Sequence, residues 1–143
     1  MFLQKSELKT VGVDEIINKI INSDDTIVVE IIKESIDLAK GYLFKYFDTV
    51  AIFAAVGDAR NLTLVKHIKG IVIFEIYSRR TKTMNEMAKF RYDEAMLWLE
   101  KVSTGKIQPD LPPKLTDTDG DGTVDTAVPF MKLGSRKTYP NGW

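Results

Sequence analysis

The sequence predicts an all-α fold. We read a small bundle of four to five helices over residues 1–106, followed by an extended, non-helical C-terminal arm over residues 107–143. Three observations carry this reading. Residues 1–106 contain no proline, whereas all five prolines (Pro109, Pro112, Pro113, Pro129 and Pro140) come after them. A proline inside a helix costs about 3 kcal/mol, so its absence permits long helices and its abundance opposes them. Apolar residues in the first part recur in steps of three and four, the repeat of one helical face. Aspartate and glycine then crowd the stretch after Thr116, where turns are favoured.

The elements follow in chain order. Lys5 to Thr10 supplies one short turn, and Val13 to Ile21 a short helix with Asp14 and Glu15 in its first turn, where acids suit the helix dipole. From Asp25 to Phe47, Val28, Ile31, Ile32, Ile36, Ala39, Tyr42, Leu43, Tyr46 and Phe47 form one face. Ser23 or Asp24 is placed to cap this helix. The linker Asp48–Arg60 carries no clear period. Asn61 opens the next helix, with Leu64, Val65, Ile68, Ile71, Val72, Ile76 and Tyr77 as its stripe. Gly70 to Tyr77 is β-branched enough for a buried strand. Helix is favoured because the spacing runs back to Leu64 and no partner strand is nearby. In the last helix, Thr83 to Glu86 fits a capping box. Met84, Ala88, Tyr92, Ala95, Leu99 and Val102 form its stripe, and Gly105 stands where a left-handed cap belongs.

Composition excludes several functions. The 143 residues hold 20 bases and 20 acids, a formal charge of zero, which argues against a general nucleic-acid binder. With no cysteine, disulfides, zinc-thiolate sites and thiol catalysis are ruled out. The single histidine, His67, lacks a second for a two-histidine metal site and has no nucleophile beside it, so it reads as structural. The opening MFLQKSELK is not a signal peptide, and no apolar run spans a membrane. No phosphate loop occurs, Asp24-Asp25 suits a helix start, and Asp93-Glu94 suits a solvated face. The expectation is a soluble, intracellular, non-enzymatic protein.

Three features remain as candidate sites. Arg79 and Arg80, with Lys82, fall at a helix C-terminus, where cations favour the dipole. The same cluster offers a contact for DNA phosphate or an acidic partner. Asp117, Asp119, Asp121 and Asp125 occupy positions 1, 3, 5 and 9 of a calcium-type loop, with Gly122 at position 6 and the Thr123 carbonyl at 7. Calcium is the cofactor such a loop would take. Position 12 holds Val128 in place of glutamate, and the flanks are rich in proline, so an aspartate-glycine hairpin stands as the alternative. The arm supplies the third feature. Leu111, Phe130, Leu133, Arg136, Lys137, Tyr139 and Trp143 are its candidate partner-binding residues, since aromatic and arginine side chains anchor interfaces. On this division, deleting residues 108–143 should leave the bundle folded.

The run Arg91-Tyr-Asp-Glu-Ala-Met-Leu-Trp-Leu-Glu-Lys-Val-Ser-Thr-Gly-Lys106 resembles the closing helix of a family of small Mu-like prophage proteins of unknown function. Ile36-Asp37 with Tyr42-Leu43 resembles an earlier helix of that family, with Lys45-Tyr46 where the family has Arg-Tyr. Ile68 through Tyr77, with Arg79, resembles its central helix, from which Lys69-Gly70 and His67 depart. The resemblance covers about residues 1–107 and leaves out the aspartate-rich loop and the tail. The family is similar to the head–tail adaptor, or connector, proteins of long-tailed phages. The resemblance therefore implies a ring, typically a dodecamer, under the portal protein at the capsid–tail junction of the virion. The partners it implies are the portal, copies of this chain, a tail-side neck or tail-completion protein, and genomic DNA passing without sequence recognition. With this resemblance, the cluster of Arg79, Arg80 and Lys82 becomes a DNA-channel or inter-subunit contact. Assembly would take place in the host cytoplasm, with no membrane partner. A calcium-binding helical module and a small DNA-binding protein are the rival readings.

Overall fold

The computed structural model describes residues 1–80, 85–117, 120–123 and 126–127. It is all-α apart from one short strand pair. A 3-10 turn, Lys5–Thr10, leads into α1 (Asp14–Ile20), α2 (Asp25–Leu43) and α3 (Thr49–Ala54). A second 3-10 turn at Gly57–Ala59 precedes α4 (Leu62–Ser78) and α5 (Glu86–Ser103). The strands β1 (Leu115–Thr116) and β2 (Thr126–Ala127) pair antiparallel, Leu115 opposite Ala127 and Thr116 opposite Thr126. Among the described residues, no helix is long and apolar enough to cross a membrane.

Helices α2, α4 and α5 pack against one another, α1 leans on α4, and α3 rests on α2. Asp24, rather than Ser23, caps α2 by accepting from Thr26 N at 3.0 Å. Val28, Ile31, Ile32, Ala39 and Leu43 then point inward. The helix ends at Leu43, not at Phe47. Backbone pairing explains the early stop: Phe47 bridges Pro113, and Asp48 N donates to the Pro112 carbonyl at 2.9 Å. Asp48 then starts α3, its carboxylate accepting from Val50 N and Ala51 N, both at 3.1 Å. The stretch without a clear period thus holds a helix of its own.

Gly70 to Tyr77 is helical. Helix α4 is enclosed by α1, α2 and α5, and Ile71, Val72, Ile73 and Ile76 are all buried. A helix buried on most of its circumference reads like a strand, because its polar face has gone. Asn61 caps it through Leu64 N at 3.0 Å. Phe74 stacks on Tyr92 and His67 on Trp98, so α4 and α5 run in opposite directions. Gly70 lets them meet closely. A Cβ there would stand 3.1 Å from the Arg91 carbonyl oxygen and 3.3 Å from its Cβ.

The cap of α5 is Asn85, which accepts from Met87 N at 3.0 Å and Ala88 N at 3.3 Å. Glu86 is therefore the first helical residue and not the third position of a capping box. Thr83 and Met84 lie outside the described residues. At the far end, Gly105 takes φ +79°. Gly105 N reaches the Val102 carbonyl at 3.1 Å, and Lys106 N the Lys101 carbonyl at 2.8 Å, which closes the orphan carbonyls in a Schellman motif.

Past Lys106 the chain does not leave the bundle at once. Ile107 packs against the core and Leu111 is only 8% exposed. Asn61 Nδ2 donates to the Asp110 carbonyl at 3.0 Å, and Lys114 N to the Tyr46 carbonyl at 2.9 Å. Leu111, expected to meet a partner, is a core residue. Proline in this stretch keeps the chain extended, and the extended path runs along the body.

Candidate interaction surface

The turn between α2 and α3 and the incoming segment before β1 frame a groove of about 420 Å³. Its walls carry three exposed apolar side chains, Phe44, Val50 and Leu115, of which Val50 is 79% accessible. The Lys114 ammonium lies 3.8 Å from the centre of the Phe44 ring, a cation–π contact, and Asp48 stands on the rim. A second apolar surface lies on α5. Its inner stripe, Ala88, Ala95, Leu99 and Val102, is buried, yet Met87, Phe90 and Leu97 face outward. Asp93 and Glu94, in ion pairs with Lys89 and Lys66, lie between Phe90 and Leu97 along the helix.

Only part of the aspartate-rich loop lies within the described residues. The Asp117 carboxylate accepts from Gly120 N at 2.7 Å and from Gly122 N at 2.9 Å. Asp121 Oδ1 accepts from Thr123 N at 2.7 Å and from the Thr123 hydroxyl. Gly120 and Gly122 both take positive φ, +76° and +85°. These carboxylates turn inward onto loop amides, and β1 and β2 pair on either side, as a hairpin requires. Asp119 and Asp125 lie outside the described residues. Among the described residues, no group of three or more acids and histidines is arranged to hold a metal ion.

Arg79 and Arg80 are exposed at the end of α4, Arg79 forming its C-cap. Lys82 falls outside the described residues, as do Phe130, Leu133, Arg136, Lys137, Tyr139 and Trp143. The Asp93-Glu94 pair is shared out to bases, Asp93 to Lys89 at 2.9 Å and Glu94 to Lys66 at 3.3 Å. Sequence reasoning missed the tie between Arg60 and Glu7. Arg60 grips both Glu7 oxygens, at 2.7 and 3.1 Å, and also donates to the Phe2 carbonyl at 2.6 Å. Its hydrogen bond holds the Glu7 carboxyl below the ordinary range. With the partners 53 positions apart in the chain, no local pattern announces the pair.

His67 is 6% exposed, stacked on Trp98 with ring centres 4.7 Å apart. Burial pushes its pKa below the ordinary 6.5, against the pull of Glu94 and with the repulsion of Lys66. A base with a depressed folded pKa takes up protons more readily when unfolded. Its contribution to stability is therefore full above about pH 6.5 and is lost as pH falls from there through the lower folded value. Urea midpoints should drop between pH 7.5 and pH 5 by more in the wild type than in His67→Phe, which keeps a ring against Trp98. Equal drops in the two proteins would show that His67 carries none of the pH dependence.

Residues 3–128 match the sequence model of the family described as Bacteriophage Mu, Gp36. The chain belongs to this family. The Gp36 match spans all five helices, the segment that carries Leu111, the aspartate-rich loop and β2. It therefore extends beyond residue 107, where the sequence resemblance stopped, and takes in the hairpin as well as the bundle. Phe130 to Trp143 follows the matched region. No curated protein and no solved structure matches the chain.

Proposed function

We propose that this member of the Gp36 family is a structural, non-enzymatic protein of the phage neck. It acts as a head–tail connector that forms a ring, typically of twelve copies, under the portal. The ring extends the DNA channel and gives the tail a platform. Membership of a bacteriophage family is the observation that carries this reading, since it points to a structural or morphogenesis protein. Two surfaces support it. The outward side chains Met87, Phe90 and Leu97 give α5 apolar anchor points for a neighbouring copy, set among the charged Asp93 and Glu94. At the other surface, Phe44, Val50 and Leu115 line a groove at the root of the C-terminal segment, which grips the portal or the next subunit. Repetition around a ring multiplies contacts that are weak singly. The formal charge of zero suits a lumen through which DNA slides without being held.

Electron microscopy of the purified protein, alone and mixed with portal-containing heads, tests this directly. Rings alone, or a collar of density below the portal, are the expected result. Ending the chain after Ala127 should abolish the collar while the melting temperature stays put. A protein that remains monomeric, ignores the heads and binds duplex DNA in a salt-sensitive way would replace this reading with that of a DNA-binding protein. Folding coupled to micromolar calcium, again without collar formation, would favour the calcium module.

A further inference from the structure

The cleft beside His67 holds more positive charge than its neighbours balance. It encloses about 280 Å³ between the first 3-10 turn, α4 and α5, and Thr10, Lys66, His67, Lys69, Arg91 and Glu94 contribute to its walls. Glu94 is the carboxylate among these, and Lys66 already engages it at 3.3 Å. Lys69 Nζ donates to the Thr10 hydroxyl at 3.2 Å, and Arg91 Nη1 to the Val11 carbonyl at 2.7 Å. Both acceptors are neutral. Among the described residues, neither cation has a carboxylate within ion-pair distance. Glu7 is near enough to feel the charge of Lys69, but Arg60 holds both of its oxygens.

A cation partly withdrawn from water attracts an opposite charge more strongly than one in open solvent. Lysine has three N–H donors and arginine five, and among the described residues Lys69 and Arg91 each spend one of them on a protein acceptor. The guanidinium plane suits the paired oxygens of a carboxylate or phosphate. His67, stacked flat on Trp98, makes a stiff wall beside them.

We propose that this cleft binds a small oxyanion, a phosphate or carboxylate group held between Lys69 and Arg91. Two cations lining one cleft and tied to the consecutive residues Thr10 and Val11 match a single oxyanion, whereas duplex DNA is held by a longer row of bases. The inference goes beyond the neck role and depends on neither ring nor arm.

The test uses the full chain carrying Trp143→Phe, so that Trp98 is the remaining tryptophan and reports from behind His67. Its emission is followed while inorganic phosphate is added, and separately glutarate, at constant ionic strength made up with chloride. A saturable change is expected. A response to both anions assigns a general oxyanion site, and a response to phosphate alone narrows the ligand to phosphate. Lys69→Gln with Arg91→Gln should weaken binding at least about tenfold. Glu94→Gln should strengthen it several-fold, because a repelling carboxylate has gone. Lys89→Gln, whose ammonium pairs with Asp93, should change nothing. If the double variant does not fold, Lys69→Gln alone is read in the same way. No saturable response to either anion overturns the proposal. So does a response that survives loss of Lys69, or one seen with duplex DNA only.

Discussion

Ending the chain after Ile107 is expected to destabilise the bundle by about 3 kcal/mol and to lower its melting temperature by roughly 10 °C. The cut removes Leu111 from the core, along with the Pro112 carbonyl that satisfies Asp48 N and the Lys114 amide that satisfies the Tyr46 carbonyl. Burying a leucine is worth about 2 kcal/mol and each hydrogen bond about 1, less the ordering of the extended segment. Leu111→Ala isolates the packing part and should cost about 2 kcal/mol. Ending the chain after Ala127 instead keeps every one of these contacts. Thermal melts followed by circular dichroism compare the three chains. If the chain ending at Ile107 melts with the full-length protein, Leu111 is not part of the working core and residues 107–143 act as a unit. The division of the chain at residue 106 predicts that second result; the structure predicts the first.

Gly70→Val should be the most damaging substitution at the α4–α5 contact, costing about 2 kcal/mol. The added Cβ would meet the Arg91 carbonyl oxygen at 3.1 Å, and backbone cannot swing aside as the end of a side chain can. The two methyls of valine add bulk to an approach that a single carbon already fills. Gly70→Ala is the informative control. Alanine gains about 1 kcal/mol in helix propensity, which offsets the tight contact and leaves stability nearly unchanged. Urea midpoints of the two variants decide the matter. A valine variant as stable as the wild type would mean that the helices separate without strain and that the close approach has no energetic role.

The helices that were legible from sequence are those whose faces repeat long enough to count. In α2 and α5 the steps of three and four continue through four or more turns; α2 has a mostly charged face opposite, and the outer face of α5 mixes acids and lysines with Met87, Phe90 and Leu97. The α4 stretch from Gly70 was ambiguous for a physical reason: enclosed by three neighbours, it keeps little polar face to mark its period. Helix α3, with six residues, is too short for any period, and its readable mark was Asp48 standing just before Thr49. Tyr46 and Phe47 continued the α2 pattern because they too face the core, although the backbone had already left the helix. The candidate surfaces were less legible. Prolines beyond residue 108 read as part of an extended arm, but pairing of Phe47 with Pro113 joins residues far apart and leaves no local pattern. The partnerless charges of Lys69 and Arg91 appear only once three elements are brought together. His67 reads as structural from sequence because no second histidine or nucleophile stands beside it, and in the fold it is buried and stacked on Trp98.

The pairing of residues 46–48 with residues 112–114 also determines where a pull on the C-terminal segment would be felt. Tension applied beyond Ala127 passes through β2 to β1, then through Lys114 and Pro112 to Tyr46 and Asp48. It reaches the corner between α2 and α3 before it can draw on the end of α5. The backbone hydrogen bonds at that corner lie across the extended segment, so a load along the segment shears them together instead of peeling them one by one. The last turn of α5, closed by Gly105, is thereby shielded, and the mechanical anchor of the segment is the corner led by Asp48.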